Sequence, residues 1–209
     1  MLIKVCGLRE PENIRAVAAL AVDWMGFIFY PRSPRYVSLD KERVEAIRSS
    51  SRKKVGVFVD APLEQMMQVA GELELDYLQL HGHESPETCY TLQKRGLSVI
   101  KAFPVASGEA LPPTADYDGR VDYFLFDTKA AAYGGSGKRF DWSILATYTG
   151  KTPFLLSGGL HPGSLGDLAA FHHLQMAGID LNSGFETEPA LKDIPRLSDF
   201  INHYKKQQQ

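Results

Sequence analysis

Apolar residues follow two alternating patterns along the chain. Short, nearly unbroken runs of aliphatic, β-branched or aromatic residues recur at 2–6, 24–29, 54–59, 77–80, 99–103, 123–126, 152–156 and 178–181. Runs of this kind fit strands covered on both faces. Their ends recur about every 25 residues, the length of a strand, a helix and two loops. Helix-like stretches fill the gaps. Pro11 opens a helix over 11–20, with Ile14, Val17, Ala18 and Ala21 as its apolar stripe. Asp40 is placed to cap 41–49, with Val44 and Ile47 turned inward. Pro62 opens 63–70, and Ser85 with Pro86 starts a fourth helix that ends near Gly96. Pro112 and Pro113 leave the fifth connection, 107–119, with a short or broken helix. Asp141 caps 142–148, and segments 164–172 and 190–205 complete the set. The KKQQQ end, from about 203, reads as a frayed tail.

Eight strands alternating with eight helical segments point to an α/β fold with a parallel sheet. An open doubly wound sheet and a closed barrel both fit. The count of eight and the even spacing favour a single (β/α)8 TIM barrel over 1–209. No linker or low-complexity stretch divides the chain.

Composition narrows the partners. The chain has 209 residues, 44% hydrophobic and 23% charged, with a net charge of −2. No clustered basic surface is indicated, so the expected partner is a small molecule and not a nucleic acid. The two cysteines, Cys6 and Cys89, are too few for a disulfide framework and read as thiols of a reducing compartment. The N-terminus lacks a signal-peptide pattern and no run of 18 apolar residues occurs, so a soluble cytoplasmic protein without a membrane span is expected.

In a barrel, catalytic groups gather where the strands end. The polar residues there are Cys6, then Arg32, Ser33 and Arg35, then Asp60, His81, Asp127, Ser157–Gly158–Gly159 and Asp180–Asn182–Ser183–Gly184. SGGL at 157–160 and NSGFE at 182–186 follow the last two strands, the usual phosphate cradle of this fold. Gly158, Gly159, Ser183 and Gly184 are the candidate phosphate ligands. Cys6 is either a buried apolar filler or a working thiolate, and the latter needs a cationic neighbour. Strand alternation is read as turning Lys4 away, which leaves Arg35 for that role. Cys89, inside the fourth helix, reads as structural. Asp127 is either a strand-end cap or a catalytic carboxyl. It precedes a long loop, 128–139, whose GGSG at 134–137 suits a cover over a ligand. His81-Gly82-His83-Glu84 invites a metal reading, but no second ligand cluster exists, since His172 and His173 fall in a helix, and no metal is expected. His81 reads as a pocket residue instead.

Joined together, KVCGLRE (4–10), GFIFYPRSPRYV (26–37), VGVFVD (55–60), LQLHGHE (78–84), FDTKAAAYGGSGKRFDW (126–142), LLSGGLHPGSL (155–165) and GIDLNSGFE (178–186) resemble the phosphoribosylanthranilate isomerase family over nearly the whole chain. Departures are small. GGSG stands for GGTG, SGGL for AGGL and NSG for SSG, and ALKD lacks the glycine that often precedes its lysine. The resemblance implies an Amadori rearrangement of N-(5-phosphoribosyl)anthranilate to 1-(o-carboxyphenylamino)-1-deoxyribulose 5-phosphate, in tryptophan biosynthesis and without a cofactor. It implies Asp127 as general acid and Cys6 as general base. Arg35 is expected to pair with the anthranilate carboxylate, and Asp180 to bond a sugar hydroxyl or the amine. His81 is expected to line the pocket. The protein is expected to be a monomer or a homodimer. Two alternatives stand beside this. Another phosphosugar barrel isomerase would commonly carry an aspartate where Cys6 stands. A non-catalytic phosphate-binding barrel would keep the glycine loops but need neither Cys6 nor Asp127.

Overall fold

In a computed structural model, which describes residues 1–128 and 140–208, the eight runs form the staves of a closed parallel barrel. In chain order the elements are β1 (Leu2–Val5), α1 (Pro11–Ala18), β2 (Trp24–Ile28), α2 (Lys41–Arg48), β3 (Lys53–Phe58), α3 (Leu63–Leu73) and β4 (Tyr77–Leu80). Then come α4 (Pro86–Lys94), β5 (Ser98–Val105), β6 (Tyr123–Thr128), β7 (Phe154–Leu156), α5 (Leu165–Ala170) and β8 (Met176–Leu181). A hairpin of β9 (Glu186–Glu188) and β10 (Leu191–Lys192) precedes α6 (Ile194–Gln207). Each strand pairs with the next, and β8 closes on β1 through Leu2↔Gly178 to Val5↔Leu181.

Outward side chains of the strands pack under the helices, and inward ones fill the lumen. Trp24, Val55, Ile100, Ala102, Leu125 and Leu155 form the inner apolar cluster. At its base Trp24 stacks on Tyr77 at 4.4 Å and meets the edge of Tyr123 at 5.1 Å. This aromatic plug seals the barrel at the strands' N-terminal ends, so any pocket must open at the other end.

The helices start where their caps place them. The Asp40 side chain accepts from the Arg43 N–H, and Ser85 accepts from Thr88. Their ends differ from expectation. α1 stops at Ala18 and leaves Ala21 exposed. Among the described residues the fifth and sixth connections hold 3-10 turns in place of α-helices, at Ala115–Tyr117 and Trp142–Thr147. α5 ends at Ala170, so His172 and His173 lie beyond it and not in a helix. The His173 ring is taken up by the backbone, close to the Tyr148 carbonyl at 3.1 Å and accepting from the Gln175 N–H. The last helix begins at Ile194 because 191–192 pair as a strand. It also runs through the segment expected to fray. Tyr204 is buried, lies parallel to Phe200 and reaches the Met1 sulfur at 3.4 Å, which holds that turn against the barrel. Among the described residues no helix is long and apolar enough to cross a membrane.

Candidate active site

Above the aromatic plug the lumen turns polar. Side chains two apart on a strand share a face, so β1 aims Leu2, Lys4 and Cys6 inward in rising order. Lys4 is fully buried, and its ammonium donates to Asp180 Oδ2 on β8 and to Gln79 Oε1 on β4, each at 2.8 Å. Gln79 Nε2 lies 2.9 Å from His81 Nδ1, and His81 Nε2 lies 3.5 Å from Asp127 Oδ2 on β6. Gln79 is itself 1% exposed, whereas the His81 and Asp127 side chains are 27% and 28% exposed. The chain of contacts therefore starts in the packed interior and ends where a ligand can reach. The other carboxyl oxygen, Asp180 Oδ1, is buried without a hydrogen-bond partner among the described residues. Burying an unpaired acceptor is costly, so this atom is matched to a donor that the other described residues do not supply.

Cys6 is buried beside Gly26, where an added side-chain carbon would lie 2.7 Å from the sulfur. The expectation for its cationic neighbour is corrected. Lys4 shares the inward face with Cys6, and among the described residues Lys4 and Lys192 are the cations acting on the sulfur. Arg35 is held elsewhere. Burial pushes the Cys6 thiol up and Asp180 adds to that, while Lys4 and Lys192 pull it down; the net shift is upward. Burial opposes the charge on Lys4 too, but Asp180 and Cys6 outweigh it, and Lys4 keeps its proton more firmly than a free lysine. Burial lifts the Asp180 carboxyl despite Lys4.

At the rim, Glu186 on β9 is the anchor. It accepts from Arg35 Nε at 2.9 Å and Nη2 at 2.6 Å, and from Lys192 at 2.6 Å. Burial works against its charge, yet these two cations hold the carboxyl below its ordinary range. Lys192 also donates to Asn182 Oδ1 at 2.8 Å. Gly7 leaves room for this layer, because a side chain there would lie 2.6 Å from both Arg35 Cδ and Asn182 Oδ1.

The two glycine loops meet next to Asp127. Gly158 and Gly159 have φ of +85° and +67°, a conformation glycine adopts freely. A side chain at Gly158 would overlap Thr128 and come within 2.9 Å of Asp127 Oδ1. One at Gly184 would overlap the Leu160 carbonyl oxygen. Ser183 begins a 3-10 turn, Ser183–Phe185, beside them.

Asp60 and His83 stand apart from this pocket, paired with each other at 3.1 Å on the outer rim. Among the described residues no three His, Cys, Asp or Glu side chains converge as a metal site. The loop expected over the ligand, with its GGSG, lies outside the described residues.

A family profile described as N-(5'phosphoribosyl)anthranilate (PRA) isomerase matches residues 3–203. The chain belongs to the phosphoribosylanthranilate isomerase family. Members of the phosphoribosylanthranilate isomerase family are close to it in sequence: that of Parabacteroides distasonis is 62% identical over 96% of this chain and 92% of its own length. That of Phocaeicola vulgatus is 55% identical over 98% of each. The solved phosphoribosylanthranilate isomerase of Thermotoga maritima, 33% identical, covers 99% of this chain and 100% of its own with a TM-score of 0.80. Another solved phosphoribosylanthranilate isomerase, 30% identical, covers 99% of this chain and 100% of its own with a TM-score of 0.77. It is described in complex with reduced 1-(o-carboxyphenylamino)-1-deoxyribulose 5-phosphate.

Cys6, His81, Asp127, Asp180 and the glycine loops thus converge at one end of the barrel, with Arg35 at its edge. Sequence reasoning missed Lys4, Gln79, Glu186 and Lys192. The first two carried a signal. A lysine inside LIKV and a glutamine inside YLQL interrupt strands that are otherwise apolar on both faces. Such a residue needs a buried partner.

Proposed function

We propose that Cys6 and Asp127 are the base and the acid with which this chain carries out its family's isomerisation. Asp127 gives its proton to the furanose ring oxygen. The bond from that oxygen to C1′ breaks, and the anthranilate nitrogen lone pair forms the C=N bond of a protonated Schiff base. Cys6, as thiolate, then takes the C2′ proton. The C–H electron pair becomes the C1′=C2′ bond and the C=N pair returns to nitrogen. The enolamine tautomerises to the ketone. Lys4 and Lys192 favour that thiolate against the opposing effects of burial and Asp180.

The remaining roles follow from what each group leaves free. Asp180 Oδ1 takes a sugar hydroxyl or the anthranilate amine. Arg35, steadied by Glu186, pairs with the anthranilate carboxylate. His81 lines the pocket next to Asp127. The phosphate, with a charge near −2, lies against Gly158, Gly159, Ser183 and Gly184. The observation that supports this reading best is that Cys6, after β1, and Asp127, on β6, both couple to the Asp180 carboxyl on β8, which lies between those strands in the barrel.

The test is kinetic. Substrate is made from anthranilate and phosphoribosyl pyrophosphate by a transferase, and loss of its fluorescence is followed on adding this protein. Cys6→Ala and Asp127→Asn are each expected to lower kcat by about 10²–10⁴-fold while inorganic phosphate still binds. Near-normal kcat in both variants would remove the assignment.

A further inference from the structure

Gln79 is buried and joins the two halves of the site. We propose that Gln79 holds the His81 ring as its Nε2–H tautomer, so that His81 serves Asp127 as a hydrogen-bond donor and not as a base. This rests on the reading of Asp127 as the acid.

The argument follows the direction of each bond. A lysine ammonium has only donors. Lys4 therefore fixes the Gln79 amide with its oxygen toward Nζ, at 2.8 Å. This removes the usual ambiguity of an amide's orientation. The Gln79 NH2 group is then what faces His81 Nδ1, at 2.9 Å. Nδ1 has to accept, so the proton of the neutral ring sits on Nε2. That nitrogen is the one 3.5 Å from Asp127 Oδ2. A doubly protonated ring would set two donors against each other at Nδ1. Among the described residues the charged groups next to the ring are Asp127 from β6 and Asp180 from β8, and Lys4 from β1 reaches it through Gln79.

The backbone beside the ring is held as firmly. The His81 N–H donates to the Phe58 carbonyl at 2.8 Å. Lys101, buried on β5, donates to the carbonyls of Leu80 at 3.2 Å and Gly82 at 2.6 Å, the residues on either side of His81. The same ammonium pairs with Glu84 at 3.0 Å, and Glu84 accepts from the N–H groups of Gly82 and Asp60. His81 thus has a fixed main chain and a fixed ring face. Its N–H is placed to bond the carboxylate that remains once Asp127 has given its proton to the sugar. Gln79 acts through His81 and is a positioning residue.

Long-range proton–nitrogen correlation spectra of the labelled protein read which ring nitrogen carries the proton. His81→Asn assigns the signal among the six histidines. The expected result in the unmodified protein is a protonated Nε2 and a bare Nδ1 at neutral pH. A protonated Nδ1 there overturns the proposal without any variant. Gln79→Glu keeps an acceptor for Lys4 but removes the donor. His81 should then carry a proton on Nδ1, and kcat should fall, by no more than the about 10²–10⁴-fold that the acid it serves contributes, with KM little changed. Gln79→Glu with an unaltered ring signal or an unaltered kcat also overturns it. If Asp127→Asn keeps its kcat, the acid assignment fails, yet the ring signal of the unmodified protein still reports on Gln79.

Discussion

Lys4 stands inside the barrel with no solvent contact, and replacing it by methionine tests what its charge does there. Its ammonium lies 2.8 Å from the Asp180 carboxylate, with side-chain exposures of 0% and 6%. At an effective dielectric constant of about 20, that separation corresponds to a gross attraction of about 6 kcal/mol. Most of it offsets the loss of hydration of the two ions, so the pair adds little net stability. Removing one partner alone is different, because the survivor stays charged and buried. Lys4→Met keeps the apolar stem, so packing changes little, and the loss should be about 3–5 kcal/mol. That is a large share of the roughly 5–15 kcal/mol that holds most domains folded. The double variant Lys4→Met with Asp180→Leu, which removes both charges, should recover most of the loss.

The pH dependence has a definite sign. Burial already lifts the folded-state Asp180 carboxyl, with Lys4 opposing. Without Lys4 it rises further above its unfolded value. Such a group penalises folding in full above its folded pKa, and the penalty fades as pH falls from that value to the unfolded one. The gap between the single variant and the unmodified protein should therefore narrow on acidification. Urea unfolding followed by circular dichroism, at neutral and mildly acidic pH, measures it. A loss under about 1 kcal/mol, or a gap that widens in acid, contradicts the reasoning.

Other outcomes follow from the same coordinates. Gly184→Ala would press a methyl group on the Leu160 carbonyl and spread the two glycine loops. KM should rise more than kcat falls, and an unchanged KM in the fluorescence assay would move the phosphate elsewhere. Burial places Cys6 above its ordinary thiol value of 9.0. In a Cys89→Ala background, alkylation of Cys6 by iodoacetamide should therefore keep accelerating from neutral into alkaline solution, and Lys192→Met should slow it at each pH. A rate already level near neutrality would show that the thiolate is preformed. Ser85→Ala removes the hydroxyl that accepts from the Thr88 N–H at 3.3 Å. It should lower stability by about 1 kcal/mol, measured as a shifted urea midpoint with kcat unchanged.

The barrel was legible because its strands are buried on both faces and so appear as blunt apolar runs, with Tyr77–Leu80 matching to the residue. Caps at Asp40, Ser85 and Asp141 were legible because a short polar side chain before a helix has one main use. The β9–β10 hairpin was not. It spans a few residues around Pro189, and Ala190 adopts φ +71°, a turn that alanine does not announce. The site was half legible. Residues that end strands were found, since the fold says where to look. The polar layer beneath them was missed because Lys4 was assigned to the outer face, although positions two apart in a strand share a side. Gln79 carries no charge, so its signal is weaker, a single amide inside an apolar strand.

The β8–β1 seam has a consequence for how the molecule forms. Lys4 and Asp180 meet across it although they are 176 positions apart in the chain. A ring of strands cannot close on a partner that has not been made, and contacts so distant in the chain slow folding. During synthesis β1 must wait with one edge unpaired until the last strand leaves the ribosome. The residues that later shape the reaction are therefore among the last to find each other, and crowding of nascent chains should be most damaging just before that moment.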